Sequence, residues 1–226
     1  MAKLFLFDVD KTLVDSRGAG SRAMTAAFAQ LFGIDDGFAG IAFAGRTDTA
    51  IFRDAFDVHS LDGDFPTLLA RFQEAYSSML PGTLAEVQAC ALPGVRELLV
   101  GLQAAPGAFL GLATGNFREA ARLKLGRFGL YDFFLAGGYG DDSEDRAEVV
   151  TVAIERLVSA SGEHGPRDVY VIGDTPLDIA AAEANGARSI AVATGFFTVD
   201  QLTAAGADLV FPDFSSWQPV LDALLD

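Results

Sequence analysis

Three apolar runs in the sequence are each followed at once by polar residues of the types that bind cations or transfer protons. These residues are Asp8 and Asp10 after KLFLF, Thr114, Gly115 and Asn116 after AFLGLA, and Asp174 and Asp178 after DVYVIG. Ligands of open parallel α/β sheets bind beyond the carboxyl ends of the strands. If the three runs are strands of one such sheet, we expect their polar residues to meet at a single edge.

Four carboxylates at one edge repel one another, so their cluster requires a cation. The candidate ligands offer only oxygen, which favours a hard ion, and Mg²⁺ is the usual one beside phosphate. Asp8 and Asp10 would share a face of an extended strand. One carboxylate can then stay ionised as a nucleophile or metal ligand, while the other holds a proton as a general acid.

The elements that must position these residues alternate between strands and helices. Mostly apolar segments at 108–114, 132–138, 168–173, 188–194 and 208–211 alternate with stretches whose apolar residues recur at helical spacing, and segment 3–9 has the same strand character. Short, nearly continuous apolar strands are typical of a parallel sheet covered by helices on both faces. With right-handed crossovers, the sequence predicts an α/β fold built on a doubly wound, Rossmann-like parallel sheet.

Residues 17–87 interrupt this alternation with helical patterns and no convincing strand. We therefore predict an α/β core made of residues 1–16 and 88–226, with a small helical cap domain, 17–87, inserted after the first strand. Arg46 and Thr47 in this cap have two interpretations. In the first, Thr47 begins a helix as its N-cap, with Asp48 complementing the helix dipole. Alternatively, the two residues contact the substrate, where the Arg46 fork would suit a carboxylate or a second phosphate.

The overall composition excludes several kinds of partner. The chain has 226 residues, half of them hydrophobic, and a formal net charge of −15. So acidic a surface repels nucleic acid and anionic membranes, and we expect neither as a partner. No stretch approaches the ~20 apolar residues of a membrane span. Cys90 is the only cysteine, which excludes an internal disulfide and fits a cytoplasmic location.

Three motifs of the sequence resemble those of a known enzyme family. DVDKTL (8–13), LATGN (112–116) and GDTPLDI (173–179), in that order, are similar to the first, second and fourth motifs of the haloacid dehalogenase superfamily. The helical insert is similar to the cap of its phosphoglycolate phosphatase-like members. The resemblance implies a Mg²⁺-dependent phosphatase that hydrolyses a small phosphorylated metabolite, phosphoglycolate or a sugar phosphate, through an aspartyl-phosphate. It would act as a monomer or a homodimer.

The same resemblance assigns a role to each motif residue. Asp8 would be the nucleophile, and Asp10 would protonate the leaving alkoxide and then deprotonate the attacking water. A non-bridging phosphate oxygen would bind to Thr114 and to the loop through Gly115 and Asn116. The Mg²⁺ ligands would be Asp8, the Asp10 backbone carbonyl and Asp174, with Asp178 positioning the metal or its waters.

The sequence departs from the family pattern at two places. Lys11 stands where phosphatases of this group usually have glycine, which puts the geometry of that turn in question. The cation of the third motif is not obvious from the sequence. Arg146, at the start of a helix between the second and fourth motifs, is our first choice, and Lys124 is the second.

Two other functions are compatible with this sequence. A β-phosphoglucomutase-like phosphotransferase would share Asp8 and Asp10 but would convert a sugar phosphate without releasing phosphate. A non-catalytic, phosphate-sensing protein could retain the same fold, although the complete motif set speaks against that reading. An assay for Mg²⁺-dependent release of phosphate distinguishes a phosphatase, which releases it, from both alternatives, which do not.

Overall fold

A central parallel sheet with helices on both faces organises the fold, in a computed structural model that describes residues 2–165 and 167–226. In chain order the elements are β1 (Ala2–Phe7), β2 (Val14–Asp15), α1 (Ala19–Phe32), α2 (Asp48–Val58), α3 (Phe65–Ala85), β3 (Cys90–Ala91), α4 (Val95–Ala104), β4 (Ala108–Ala113), α5 (Arg118–Gly126), a 3-10 turn (Tyr131–Phe133), β5 (Ala136–Gly138), α6 (Arg146–Ser161), β6 (Arg167–Gly173), α7 (Pro176–Ala184), β7 (Arg188–Val192), α8 (Val199–Ala204), β8 (Leu209–Phe211) and α9 (Trp217–Leu225).

The strands of the sheet lie in the order β5-β4-β1-β6-β7-β8, and each neighbouring pair is parallel. This arrangement confirms the predicted doubly wound α/β fold. The chain passes from β1 outward on one side to β4 and β5, and later returns to β6 on the other side of β1. The order of the strands therefore reverses at β1, and the crevice beyond its carboxyl end is where such sheets bind ligands.

Strand β1 packs into the core on both of its faces. Phe5 and Phe7 belong to a cluster with α4 and α9, whereas Leu4 and Leu6 belong to a second cluster with α6 and α7. Alternate side chains of a strand point to opposite faces, so a strand with consecutive apolar residues, such as Leu4 to Phe7, is suited to a sheet covered on both sides. The burial of β1 fixes the position of the carboxylates that follow it.

Helices α1, α2 and α3 form a layer over the carboxyl edge of the sheet and are built around aromatic side chains. Phe28, Phe52 and Phe72 are fully buried, and the rings of Phe52 and Phe72 stack with their centroids 4.5 Å apart. The cluster extends to Phe117 and Ala120 at the start of α5, so the helical insert packs directly against the core. The exact limits of the cap, 17 and 87, stay a prediction.

Two features of the local structure were not predicted. The segment 132–138, predicted to be a strand throughout, forms a strand only at Ala136–Gly138 (β5); Tyr131–Phe133 form the 3-10 turn, and Phe133 and Phe134 pack against the core. Strands β2 and β3 form a two-residue antiparallel ribbon, which is too short to produce a periodic pattern in the sequence. In the described part of the chain, no helix combines the length and the apolar character that a bilayer crossing requires.

Candidate active site

A cavity of about 230 Å³ lies between the carboxyl edge of the sheet and the helical insert. Its floor is formed by residues that follow β1, β4 and β6, together with two cations from neighbouring helices. These floor residues are Asp8, Asp10, Gly115, Asn116, Asp174, Lys124 and Arg146. The structure thus brings together the polar residues that follow three separate strands.

Asp8 lies at the end of β1 beside the guanidinium of Arg146. One Asp8 oxygen is 2.9 Å from Arg146 Nη2, and both side chains are at least nine-tenths buried. The Asp8 backbone N–H donates to the carbonyl of Ile172 in β6, which fixes the direction of the loop. Burial raises the pKa of Asp8 to about 6, although the nearby guanidinium lowers it. Arg146 is therefore the cation nearest the predicted nucleophile.

Arg146 also binds Asp178, the last acid of the segment GDTPLDI that resembles the fourth motif. Arg146 Nε donates to Asp178 Oδ1 over 2.9 Å, and Nη2 contacts the same oxygen. The other oxygen of Asp178 accepts from the Thr175 backbone N–H at 3.1 Å and from the Thr175 hydroxyl at 2.7 Å. Both oxygens are engaged within the protein, so Asp178 suits the indirect, positioning role rather than direct contact with a metal.

Asp10 pairs with the second buried cation, Lys124. The Lys124 ammonium contacts Asp10 Oδ2 and also Asn116 Oδ1, while Ser16 Oγ donates to Asp10 Oδ1 at 2.6 Å. Burial alone would raise the pKa of Asp10, but Lys124 and Ser16 outweigh it and hold the pKa below its usual value. Asp10 is therefore ionised in this arrangement, and its backbone carbonyl is the part left for a metal.

Asp174 supplies the second carboxylate that a metal could use. It follows β6, lines the cavity and is almost fully buried. Gly195 leaves room for it, because a Cβ at that position would lie 1.8 Å from Asp174 Oδ2. Burial, together with the charges of Asp178 and Asp8, raises the pKa of Asp174 to about 9. A cation between Asp8 and Asp174 would relieve this repulsion.

The donor set fits Mg²⁺ by its chemistry. No group of three or more His, Cys, Asp or Glu side chains converges into a metal cage among residues 2–165 and 167–226. Mg²⁺ does not require such a cage, since it usually keeps several waters and binds one or two carboxylates together with substrate phosphate. The carboxylates of Asp8 and Asp174 and the carbonyl of Asp10 are oxygen donors of that kind.

The loop after β4 joins the predicted phosphate site to Lys124. Asn116 Nδ2 donates to Thr114 Oγ1 at 2.9 Å, and the Asn116 oxygen accepts from Lys124. Thr114 is fully buried, whereas Gly115 and Asn116 line the cavity. The side chain of Asn116 thus links Thr114 to the cation that pairs with Asp10.

Arg46 and Thr47 use their side chains mainly within the protein. Arg46 Nη1 lies 2.6 Å from Asp54 Oδ2, and its guanidinium also donates to the carbonyl of Ala50 at 3.3 Å. Thr47 caps α2 by accepting from the Ala50 backbone N–H, and its hydroxyl donates to the carbonyl of Glu144 at 3.0 Å. The capping interpretation of Thr47 is confirmed. Thr47 is not among the residues that line the cavity above Asp8, whereas Arg46 lines it with its guanidinium paired to Asp54.

Asp48 is a buried site residue whose partners the sequence did not reveal. Its Oδ2 accepts from the Phe117 backbone N–H at 2.9 Å, and its own N–H donates to the carbonyl of Gly115 at 2.7 Å. Burial raises the pKa of Asp48 to about 7, with Lys124 lowering it. The first turn of α2 is thereby fastened to the loop that follows β4.

Lys11 takes up the backbone conformation that glycine would favour. Its φ is 63°, in the left-handed region, and its carbonyl accepts from the Thr194 hydroxyl. The Lys11 ammonium pairs with the buried carboxylate of Asp15, 2.7 Å away, and Lys11 lines the cavity. The turn therefore keeps a left-handed geometry despite the side chain, at a cost on the order of 1 kcal/mol.

Comparison with known proteins gives a family and several relatives. The sequence profile of haloacid dehalogenase-like hydrolases matches residues 2–186. A phosphoglycolate phosphatase of Rhodospirillum rubrum is 29% identical over 222 residues, which cover 96% of this chain and 89% of that protein. The probable phosphatase IndB of Dickeya dadantii is 27% identical over 229 residues, covering 100% of this chain and 96% of that protein.

Solved structures show the same fold. CbbY from Rhodobacter sphaeroides, crystallised with phosphate, superposes with a TM-score of 0.72 at 22% identity, covering 98% of this chain and 100% of that one. A mutant of CbbY, crystallised with xylulose-(1,5)bisphosphate, gives a TM-score of 0.71 at 22% identity, with coverage of 96% and 97%. At these identities the likeness concerns the fold alone.

Proposed function

The chain belongs to the haloacid dehalogenase-like hydrolases, and on that basis we propose that it hydrolyses a small phosphomonoester with Asp8 as the nucleophile. The family and the phosphatase relatives make the protein a phosphoric monoester hydrolase. The observation that supports the mechanism best is the position of Asp8. It lies at the reversal point of the sheet, 2.9 Å from the Arg146 guanidinium, on the floor of a cavity covered by the helical insert.

In the first step, an Asp8 oxygen attacks phosphorus in line with the ester oxygen. The P–O bond to the leaving group breaks as the bond from Asp8 forms, and Asp10 gives its proton to the departing alkoxide. The products are an alcohol and an aspartyl-phosphate. Arg146 and the loop from Thr114 to Asn116 would bind the non-bridging oxygens, where negative charge must be stabilised.

In the second step, water attacks the same phosphorus and Asp10 takes its proton. The bond from phosphorus to Asp8 breaks, phosphate leaves and the Asp8 carboxylate is restored. The ionised state of Asp10 beside Lys124 suits this step directly. To serve as the acid of the first step, Asp10 must carry a proton, and the proton that it takes from water in the second step supplies it for the next turnover.

A divalent metal is general among hydrolases of this family, and we propose Mg²⁺ here. Asp8, Asp174 and the Asp10 carbonyl would hold it, and Asp178 would keep Arg146 and the Thr175 turn in place. When bound, the ion would neutralise charge on Asp8 and the phosphate and align the two. Phosphoglycolate, named in the R. rubrum relative, and a sugar phosphate are the two candidate substrates.

The first test is phosphate release from p-nitrophenyl phosphate and a panel of small phosphate esters. Each assay would be run with Mg²⁺, with EDTA, and with the Asp8→Asn and Asp213→Asn variants. Asp213 is a half-buried aspartate that does not line the cavity, so Asp213→Asn controls for the loss of one charge. We expect EDTA and Asp8→Asn to abolish turnover, and Asp213→Asn to retain it.

Full activity in a folded Asp8→Asn protein would exclude Asp8 as the nucleophile. Conversion of a sugar phosphate without release of phosphate would instead indicate the mutase alternative. A folded protein that acts on no ester would favour the phosphate-sensing alternative.

A further inference from the structure

The cavity above Asp8 has two chemically different halves. Its floor carries the carboxylates and cations described above, where the phosphate of a substrate would lie. Its roof and mouth are formed largely by apolar groups from the helical insert and from the loop after β7. The apolar side chains are Met24, Phe43, Ile51 and Phe196. The leaving group of a bound ester would therefore face a surface of low polarity.

The four cations that line the cavity are each paired with a carboxylate of the protein. Arg146 pairs with Asp8 and Asp178, and Lys124 pairs with Asp10. The other two pairs are Lys11 with Asp15, at 2.7 Å, and Arg46 with Asp54, at 2.6 Å. Arg146 and Lys124 lie on the floor, so they are committed to the phosphate end of the site.

Arg46 is the cation that the insert contributes to the lining. Its guanidinium is held by Asp54 and by backbone carbonyls, as described above. A carboxylate or second phosphate on the leaving group would therefore meet no uncompensated cation among the lining residues. Burying an unpaired charge against an apolar surface is strongly unfavourable.

Instead of a free cation, the cavity offers the leaving group a neutral hydrogen-bond donor and an exposed aromatic ring. The phenol of Tyr76 faces the cavity, and burial raises its pKa, so it stays protonated and able to donate. Phe196 lies at the mouth with 78% of its surface exposed, which the packing of the fold does not require. An apolar face or ring of a substrate would cover this side chain favourably.

We propose that the leaving group of the substrate is uncharged and presents an apolar face, so that esters bearing a carboxylate or a second phosphate are poor substrates. The inference rests on the phosphatase function proposed above. It separates the two candidate substrates, because phosphoglycolate carries a carboxylate on its leaving group and a sugar monophosphate does not.

The test compares esters that differ in charge but hardly in size. Phosphoglycolate and phosphoglycolamide are such a pair, since the amide replaces one carboxylate oxygen by NH₂. We expect kcat/KM for the amide to exceed that for phosphoglycolate by about tenfold or more, the factor that 1.4 kcal/mol produces. Benzyl phosphate should be preferred to ethyl phosphate, and Phe196→Ala should reduce that preference several-fold.

A surface variant tests the role of the paired cation directly. Asp54→Asn releases the Arg46 fork, which should lower the amide-to-glycolate ratio several-fold toward phosphoglycolate. Asp57→Asn is the matched control, because Asp57 lies on the same helix, is exposed and removes the same charge. We expect Asp57→Asn to leave the ratio at the wild-type value.

The outcomes separate this inference from the function on which it rests. If kcat/KM for phosphoglycolate equalled or exceeded that for the amide, the inference would be wrong, but the proposed phosphatase function would stand. If Asp54→Asn and Asp57→Asn gave the same amide-to-glycolate ratio, the pairing of Arg46 with Asp54 would not be the reason why charged esters are poor substrates. Absence of phosphate release from every ester, including p-nitrophenyl phosphate, would overturn the proposed function itself.

Discussion

Two buried cations, Arg146 and Lys124, bind different carboxylates of the site. Arg146 binds Asp8 and Asp178, and Lys124 binds Asp10 and the amide of Asn116. Arg146 thereby fixes the orientation of Asp8 and Asp178, and Lys124 fixes that of Asp10. The two cations hold acids with different tasks, so the removal of either cation should affect a different step.

The first prediction at this scale concerns Lys124. Lys124→Met leaves Asp10 without its cation and Asn116 without its donor, so the proton donor and acceptor of the reaction loses its fixed position. We expect kcat to fall about 100-fold, the effect of a misplacement of about 1 Å, with a smaller change in KM. Steady-state kinetics with p-nitrophenyl phosphate would measure both.

Arg122→Met is the matched control for Lys124→Met. Arg122 lies on the same helix, is half exposed and pairs only with Glu119 on the surface. This variant should retain kcat within about twofold, since surface pairs contribute little. Equal losses in the two variants would contradict a specific role for Lys124.

The second prediction concerns Arg146. Arg146→Met removes the donor nearest Asp8, and we expect kcat to fall about 10²–10³-fold, as when a donor to a developing oxyanion is deleted. Arg146→Lys should recover part of this loss, because lysine restores the charge but not the fork. Arg156→Met, on the same helix but paired with Asp142, is the control. A fully active Arg146→Met protein would exclude the arginine from catalysis.

The acids of the site could be predicted from the sequence, but the pairing of the cations could not. Asp8 and Asp174, like Thr114, stand directly after strands, so the sheet places them, and Asp10 follows Asp8 in the same loop. Lys124 occupies the buried stripe of α5, with Ala120, Ala121 and Leu125 as its buried neighbours. A charged residue at such a position signals a buried partner, yet its identity depends on tertiary packing.

At the scale of elements, the first turn of α2 and two loops of the core share a tight backbone junction. The Asp48 N–H bonds to the Gly115 carbonyl, and the hydroxyl of Thr49 donates to the carbonyl of Gly140. A Cβ on Gly115 would lie 2.1 Å from the carbonyl oxygen of Arg46. The insert therefore supports the loop that is proposed to bind phosphate, in addition to covering it.

The third prediction tests this junction. Gly115→Ala should force α2 away from the loop after β4, because the methyl group would overlap the Arg46 backbone. We expect kcat/KM to fall about 100-fold through misalignment of the phosphate loop. Gly126→Ala, where a Cβ meets nothing within 4 Å, is the control and should be active and as stable as the wild type or slightly more so. Normal activity in Gly115→Ala would contradict the proposed coupling.

The helices of the insert were evident from the sequence, but their docking was not. Apolar residues recur at helical spacing in α1, α2 and α3, whereas on the core side the junction is formed largely by backbone groups of Gly115, Gly140 and Phe117. Such groups carry no sequence pattern beyond the presence of glycine. The two-residue ribbon of β2 and β3 escaped prediction for the related reason that it has no periodicity.

At the scale of the whole molecule, an acidic chain has buried several carboxylates in one place. Burial is the main cause that raises the pKa of Asp8 to about 6, of Asp48 to about 7 and of Asp174 to about 9. A raised carboxyl pKa means that the folded state holds its proton more tightly than the unfolded chain. In the absence of metal, stability must then fall as pH rises from about 4 to about 9.

The fourth prediction follows from this linkage. In EDTA, the Tm should decrease by several degrees from pH 5 to pH 9, since 1 kcal/mol moves the Tm of a chain of this size by about 2–4 °C. Groups with lowered pKa, such as Asp10 and Asp142, lose their contribution at more acidic pH and leave this window unaffected. Mg²⁺ should raise the Tm, and more at pH 8 than at pH 5, because it binds ionised carboxylates.

The variant Asp174→Asn separates the contribution of this site from other causes of the pH dependence of the Tm. It should flatten the curve in EDTA between about pH 7 and pH 9 and remove most of the stabilisation by Mg²⁺. A Tm in EDTA that rises steadily over the same range would be inconsistent with the buried carboxylates.

The two-residue ribbon has a consequence for how this protein can vary. The chain leaves the sheet through Val14–Asp15 and returns through Cys90–Ala91, and the two segments are paired side by side. Cα atoms of paired antiparallel residues are only about 4.5–5.5 Å apart. Topologically, the helical insert is thus a side branch that leaves and rejoins the core at one ribbon. It can be lengthened, shortened or exchanged for another branch without rethreading the sheet, provided that the replacement also supports the loop after β4 as the first turn of α2 does.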